Sequence, residues 1–181
     1  MLKGTPNEIM SQKFILELNN ALAMENSGVE RLQTRVEEAS LPEAKQKLQH
    51  HLEESKEHQA RLQELISGMG GNPTQLKLGL PLPSYPQEIK KMMESSMTKQ
   101  EWELKRTEED MIIENAEATC YQMLIQKAQM AGRPYLNAVE PLSHNMKDEE
   151  NMVDWIKTAS PGMLSQLWPK IQSVIASSAP Q

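Results

Sequence analysis

The positions of its prolines limit what this chain can fold into. The chain has 181 residues and eleven prolines, and residues 7–41, 43–72, 87–133 and 142–160 contain none of them. Because a proline in a helix interior costs about 3 kcal/mol or more, long helices are confined to such segments. Between the second and third segments, four prolines fall within residues 73–86, and a Gly-Gly pair lies just upstream of them. This pattern predicts an extended crossover that joins two pairs of long helices.

Helix boundaries can be predicted from the residues that flank these segments. Ser40, placed just before a proline, predicts the N-cap of the second helix. The segment 87–133 is long for a single element, so we expect a short connecting helix near 86–97 and then a longer helix. That longer helix should end near Ala131, where Gly132 can terminate it.

The composition favours helices and excludes several classes of protein. Of the 25 acidic residues, 22 are glutamate, and there are thirteen methionines but only one phenylalanine. Straight-chain residues of this kind favour helices over strands, which excludes an all-β fold. The net charge of −6 argues against a general nucleic-acid binder. The single cysteine precludes an internal disulfide, and no stretch approaches 18 apolar residues, so we expect a cytoplasmic protein that does not enter the membrane.

These features together predict an all-α protein, specifically a ferritin-like four-helix bundle. Its long crossover lies between helices two and three, and a short connecting helix follows that crossover. We expect residues 1–160 to form the bundle. Residues 161–181 carry apolar side chains at helical spacing and predict an amphipathic C-terminal helix, packed on the bundle or at a dimer surface.

Glutamates interrupt the apolar stripes of three of the predicted long helices. Glu25 follows Leu18 and Leu22 in the first helix, Glu114 lies on the stripe of the third, and Glu149 lies on that of the fourth. A buried carboxylate without a partner is costly, so carboxylates that project inward from several helices need a common reason to be there.

A pair of bound cations would supply that reason. Carboxylate oxygens with one or two imidazoles suit iron or manganese. Ferritin-like di-metal bundles use one Glu from each of two helices and a Glu-x-x-His from each of the other two. On the second helix, His51, Glu54 and His58 share one face because they are three and four residues apart. By position, the four glutamate roles fall to Glu25, Glu54, Glu114 and Glu149.

The histidine roles of that arrangement are poorly filled, which leaves other interpretations open. Glu54 is followed by Glu57 at the third position and by His58 only at the fourth, and Glu149 is followed by Met152. The glutamates could therefore mark a relic site or a solvated helix surface. Tyr121 could donate a hydrogen bond to a ligand carboxylate, although core packing is the simpler interpretation.

Several short strings carry a resemblance to a known family. They are Ala23-Met24-Glu25, the second-helix string HHLEESKEHQARL, Glu114-Asn115-Ala116-Glu117 and Asp148-Glu149-Glu150. Over roughly residues 10–160 the chain resembles the YciE/YciF-type ferritin-like stress proteins of bacteria. The resemblance implies a bundle related to rubrerythrin, usually a homodimer, with a di-metal site and a role in stress responses. By the same resemblance, the ligand candidates are Glu25, Glu54, Glu114, Glu117 and Glu149, with His58 close by.

Three functions from different classes remain open, and so does whether the protein is an enzyme. The first is a metal-binding stress protein whose iron or manganese ions react with oxygen or peroxide. The second is a structural or interaction bundle that has lost the metal chemistry. The third is association with lipid or a partner through the apolar residues after Pro161, although an additional packed helix explains these residues more simply.

Overall fold

The computed structural model describes residues 4–178, and within this range it contains helices but no strand. The long helices form a bundle, so the all-α prediction is confirmed. The elements are α1 (Pro6–Glu38), α2 (Pro42–Gly68), α3 (Gln87–Ser96), α4 (Lys99–Ala131), a 3-10 turn (Tyr135–Ala138) and α5 (Val139–Ser178). The short connecting helix is α3, and the crossover before it occupies residues 69–86.

The bundle consists of two helical hairpins, α1 with α2 and α4 with α5. Short connections join the helices within each hairpin, so the two members run antiparallel. The crossover between the hairpins follows α1 and is bonded to it. The amide of Leu78 donates to the carbonyl of Ala23 at 3.0 Å, and the amide of Thr74 donates to Asn19 Oδ1 at 2.7 Å. These bonds hold the crossover beside the middle of α1.

The helix ends show which sequence signals were read correctly. Thr98 caps α4 through a capping box, and α4 ends before Gly132, whose φ of 70° is a conformation that glycine adopts easily. The predicted N-cap of α2 is wrong. Leu41 occupies that position, and the hydroxyl of Ser40 instead donates to Glu103 on α4 at 2.5 Å. A tertiary partner has thus replaced the local capping bond.

The C-terminal segment continues α5 instead of forming a separate helix. α5 passes through Pro161 and Pro169 without interruption, so the predicted boundary after residue 160 falls inside one helix. Residues 179–181 of the predicted segment lie outside the described range.

Packing on the bundle explains why α5 tolerates its prolines. Met163 and Leu167 are buried against Leu41 at the start of α2, and Ile171, one turn further on, is buried as well. Burying an apolar side chain contributes about 1.5–3 kcal/mol, whereas a proline in a helix interior costs about 3 kcal/mol. Three buried side chains therefore offset two prolines.

Besides the cluster around Leu41, two larger apolar clusters lie along the bundle, and polar residues lie between these two on every long helix. One cluster contains Leu18, Leu22, Leu62, Tyr121, Leu124 and Leu142, and the other contains Leu32, Leu48, Leu52, Met152 and Ile156. Glu25 lies between the two clusters on α1, and Glu149 lies between them on α5. The middle of the bundle is therefore a polar layer enclosed by apolar ones.

No helix formed by residues 4–178 combines the length and the apolar character that a membrane span requires.

The packing of the α5 extension makes a measurable prediction. Leu167 is fully buried, whereas Leu164, on the same stretch of helix, is 46% exposed. We expect Leu167→Ala to lower the free energy of unfolding by about 2–4 kcal/mol through the lost burial and the cavity it leaves, and Leu164→Ala to lower it by less than about 1 kcal/mol. Urea denaturation of both variants provides the comparison. Equal effects would show that the extension is not packed on the bundle.

Candidate metal centre

Six ionisable side chains from all four long helices meet in the polar layer. Each is at most 3% exposed to solvent. They are Glu25 from α1, His51 and His58 from α2, Glu114 and Glu117 from α4, and Glu149 from α5. On α2 the two histidines are seven residues apart, which is two helical turns, so both face the bundle axis.

The first group of possible ligands consists of Glu25, His58 and Glu149, and we call it position A. His58 Nδ1 lies 3.2 Å from Glu25 Oε1 and 2.9 Å from Glu149 Oε1. The hydroxyl of Tyr121 donates a hydrogen bond to Glu25 Oε1. One potential ligand atom from each member of the group lies within 4.8 Å of the others, which is compact enough to hold one metal ion.

The second group consists of His51, Glu114 and Glu149, and we call it position B. His51 Nε2 lies 2.8 Å from Glu114 Oε2 and 3.2 Å from Glu149 Oε2. These ligand atoms also lie within 4.8 Å of one another. Glu149 thus belongs to both groups, with one oxygen facing each imidazole. If two cations were bound, Glu149 could therefore offer an oxygen to each position.

The outward-facing nitrogen of each imidazole contacts a carboxylate closer to the surface. His58 Nε2 lies 3.2 Å from Asp148 Oδ2, and His51 Nδ1 lies 3.0 Å from Glu54 Oε2. Such outer carboxylates fix the orientation of a ligand imidazole and the nitrogen that it offers. Glu54 was predicted as a ligand, but the structure places it behind His51 and outside both groups.

Glu117 lies beside the two groups without belonging to either. Its carboxylate approaches α1 at Gly28, where a Cβ atom would lie only 3.3 Å from Glu117 Oε1. That oxygen is buried and has no hydrogen-bond partner. Glycine at position 28 therefore leaves room for the buried carboxylate of Glu117.

Burial dominates the titration of most of the carboxylates. It raises the pKa of Glu25, and it raises the pKa of Glu114 to about 8. The pKa of Glu117 is also raised, first by burial and then by the neighbouring negative charges of Glu25 and Glu149. Glu149 is the exception. Burial acts to raise its pKa, but the two adjacent imidazoles have the larger combined effect, and its pKa falls below the ordinary value.

The imidazoles shift in the direction opposite to that expected from burial alone. Burial acts to lower the pKa of His58, but the contacts with Glu149 and Glu25 outweigh it and raise the pKa to about 10. The pKa of His51 is raised as well, because Glu114 and Glu149 surround it. In the protein without metal, each imidazole therefore serves as a cation for the buried carboxylates.

The donor set fits a pair of metal ions. Glu25 Oε2, Glu117 Oε1 and both oxygens of Glu149 are buried without a hydrogen-bond donor, and the imidazoles contact Glu149 at ion-pair distance without hydrogen-bond geometry. Four carboxylates face two imidazoles, which can carry at most two positive charges. Two divalent cations would balance all four carboxylates with both imidazoles neutral, and this mixture of oxygen and nitrogen donors suits iron or manganese.

The structure brings most of the predicted residues together. Glu25, His58, Glu114 and Glu149 fall within the two groups, and Glu117 is buried beside them. Their role as ligands stays a prediction. The residue that the prediction omitted is His51. The sequence already placed His51 on the same face as His58, but its order relative to Glu54 is the reverse of Glu-x-x-His, so it received no ligand role.

The fold and this buried cluster define the class of protein. A four-helix bundle with one long crossover and inward-facing glutamates and histidines is a ferritin-like protein. The chain belongs to the family described as domain of unknown function (DUF892), whose model matches residues 10–167.

Comparison with solved structures supports the same fold. A protein from Xanthomonas campestris pv. campestris superposes with a TM-score of 0.71 at 17% sequence identity, covering 90% of this chain and 99% of the other. At this identity the similarity shows the shared fold. No functionally curated protein matches the sequence.

The raised pKa values predict how the stability of the metal-free protein depends on pH. The pKa of Glu114 rises from 4.5 to about 8 and that of His58 from 6.5 to about 10, so the folded state binds protons more tightly than the unfolded state. The free energy of unfolding should therefore fall as the pH increases from 6.5 towards 10. Urea denaturation in the presence of a chelator measures this dependence.

Two variants test whether the buried cluster causes this dependence of the free energy of unfolding on pH. In His58→Gln the free energy of unfolding should fall less steeply between pH 6.5 and 10 than in the wild type. His50→Gln, which changes a side chain that is 67% exposed, should show the wild-type dependence. A free energy of unfolding that stays constant or rises over this pH range would contradict the assignment of these protons.

Proposed function

We propose that this protein is a ferritin-like stress protein of the YciE/YciF type that binds two iron or manganese ions and acts on dioxygen or peroxide. The observation that carries the proposal is the position of Glu149. Its two buried oxygens face two different imidazoles, each of which is grouped with a carboxylate from another helix.

The chain's own residues would divide the binding between them. Position A offers Glu25, His58 and Glu149, and position B offers His51, Glu114 and the second oxygen of Glu149. Glu117, with its unpaired oxygen, provides a further carboxylate next to both positions. Bound iron or manganese would supply redox chemistry towards oxygen species. The protein would contribute fixed ligands and, through the apolar clusters on either side, a layer without bulk water.

A structural bundle that has lost the metal chemistry is the alternative. The close imidazole–carboxylate contacts favour it, because protonated His51 and His58 neutralise part of the buried charge without any metal. The Glu-x-x-His pairs of ferritin-like proteins are also absent. The two proposals differ in whether the purified protein contains stoichiometric metal.

A homodimer and a cytoplasmic location remain proposals that rest on the resemblance and the composition. Support for a dimer comes from α3, where Ile89 and Met92 expose a narrow apolar face. The hypothesis of association with lipid or a partner also remains a proposal. Of the apolar residues that motivate it, Leu167 and Ile171 are buried, whereas Leu164 and Trp168 are about half exposed.

Metal stoichiometry tests the proposed site directly. We expect the purified protein to bind two Mn²⁺ ions per chain. Glu149→Gln should abolish tight binding of both, because Glu149 belongs to both groups. The matched control is Glu150→Gln, which changes the adjacent exposed glutamate and should retain two ions. Equilibrium dialysis followed by elemental analysis gives the counts. Equal metal content in the two variants, or none in the wild type, would contradict the proposal.

Thermal stability provides an independent measurement. A ligand that binds only the folded state at one hundred times its Kd stabilises that state by about 2.7 kcal/mol per site. For a chain of this size, 1 kcal/mol corresponds to about 2–4 °C in the thermal midpoint. Two sites saturated to this degree should therefore raise the midpoint by about 10 °C or more over the chelated protein. A midpoint that is indifferent to Mn²⁺ and to chelator would favour the structural alternative.

A further inference from the structure

We propose that Tyr121 is a positioning residue that sets the metal affinity of position A through Glu25, and that it makes the two metal positions unequal. This inference rests on the proposed metal site and assigns a role within it that the ligand pattern alone does not give.

Tyr121 makes a polar contact to one ligand of position A and a ring contact to another. It lies on α4, is 1% exposed, and donates its hydroxyl hydrogen bond to Glu25 Oε1. Its ring lies edge-on to the imidazole of His58, with centroids 6.1 Å apart. Because Glu25 Oε1 accepts from the hydroxyl, Glu25 Oε2 is the oxygen left without a partner.

The hydrogen bond has a consequence for the geometry of Glu25. A glutamate side chain has three rotatable bonds, and a donor at one oxygen restricts the direction of the other. In the structure this restriction presents Glu25 Oε2 as an unpaired acceptor inside the polar layer. A carboxylate held in this way loses less conformational freedom when it binds a cation, so the affinity of position A should depend on the Tyr121 hydroxyl.

Position B is built differently. Among the described residues, the hydrogen-bond partner of its carboxylate Glu114 is His51, which belongs to the same group, and no hydroxyl from outside the group bonds to Glu114. On binding, Glu114 would exchange its bond to His51 for the cation, and Glu25 would likewise exchange its bond to His58. Glu25 would in addition keep its bond from Tyr121. The two positions thus differ in preorganisation, although each offers one imidazole, one carboxylate of its own and one oxygen of Glu149.

A purely structural role for Tyr121 is the competing explanation. A buried phenol needs a hydrogen-bond partner, and Glu25 could serve only as that partner. In that case, removing the hydroxyl would change stability without acting on one metal position.

The experiment compares Tyr121→Phe with Tyr135→Phe. Tyr135 is the matched control because it is also buried, yet it packs against Phe14 in an apolar cluster, with ring centroids 5.2 Å apart. Calorimetric titration with Mn²⁺ gives the affinity of each site, and the visible d–d bands of the Co²⁺-loaded protein report ligand geometry. We expect Tyr121→Phe to lower the affinity for one of the two ions by about 10–100-fold and to alter the Co²⁺ bands, and Tyr135→Phe to do neither.

A double-mutant cycle with Glu25→Gln separates positioning from structure. We expect Glu25→Gln to reduce binding to one tight ion, at position B. If Tyr121 acts through Glu25, adding Tyr121→Phe to that variant should not lower the affinity for the remaining ion. A further loss in the double variant would indicate a structural role and overturn the inference.

The outcomes for the inference and for the proposed function are distinct. Two ions with wild-type affinities and unchanged Co²⁺ bands in Tyr121→Phe would overturn the inference and leave the metal site in place. Absence of bound metal in the wild type would overturn both. The double-mutant cycle depends only on the measured affinity for the ion at position B. It therefore remains decisive even if Tyr121→Phe alone lowers the stability of the metal-free protein.

Discussion

The charge balance of the polar layer is the constraint on which the rest of this structure depends. Four carboxylates are buried there, and two imidazoles are the cationic groups in contact with three of them. An unpaired charge in a protein interior is so costly that the group takes up protons or acquires a counterion. Without metal, the raised pKa values of Glu114 and His58 show that protons fill this role. With metal, the protons would leave and the same oxygens would become ligands.

This constraint explains the layered core. The carboxylates need fixed positions, and the apolar clusters above and below them hold the helices in register on both sides of the layer. The crossover adds a further restraint, since its bonds to Asn19 and Ala23 fall within the two turns of α1 before Glu25. A shift of one residue along α1 would turn Glu25 away from His58 by about 100° around the helix axis, given 3.6 residues per turn. The geometry of the site therefore depends on the register of the helices.

The sequence was sufficient for the fold because prolines and glycines limit helices through local backbone sterics, which do not depend on partners. The sequence was less informative where contacts between helices determine which partner a side chain bonds to. Ser40 has a local capping pattern, but its hydroxyl instead donates a hydrogen bond to Glu103 on another helix. For the site, Glu25 and Glu149 were found because they interrupt apolar stripes. His51 was placed on the face of His58 but left out of the predicted ligands, because the Glu-x-x-His pattern fixes the order of ligands along one helix. Bundle geometry requires only that two side chains face the axis, two turns apart.

A carboxylate next to the polar layer shows how this chain neutralises a buried charge with its own side chains. Asp110 on α4 is paired with Arg31 at 2.9 Å and with the buried Arg35 at 2.8 Å, both from α1. Among the ion pairs of the described residues, no lysine or arginine reaches any of the four glutamates of the polar layer. Glu114 lies only one turn from Asp110 on the same helix, so the same helix pair supplies arginines for one carboxylate and none for the next. The carboxylates of the polar layer therefore lack the arginine partners that Asp110 has. Protons, or the cations of the proposed site, would then balance these carboxylates.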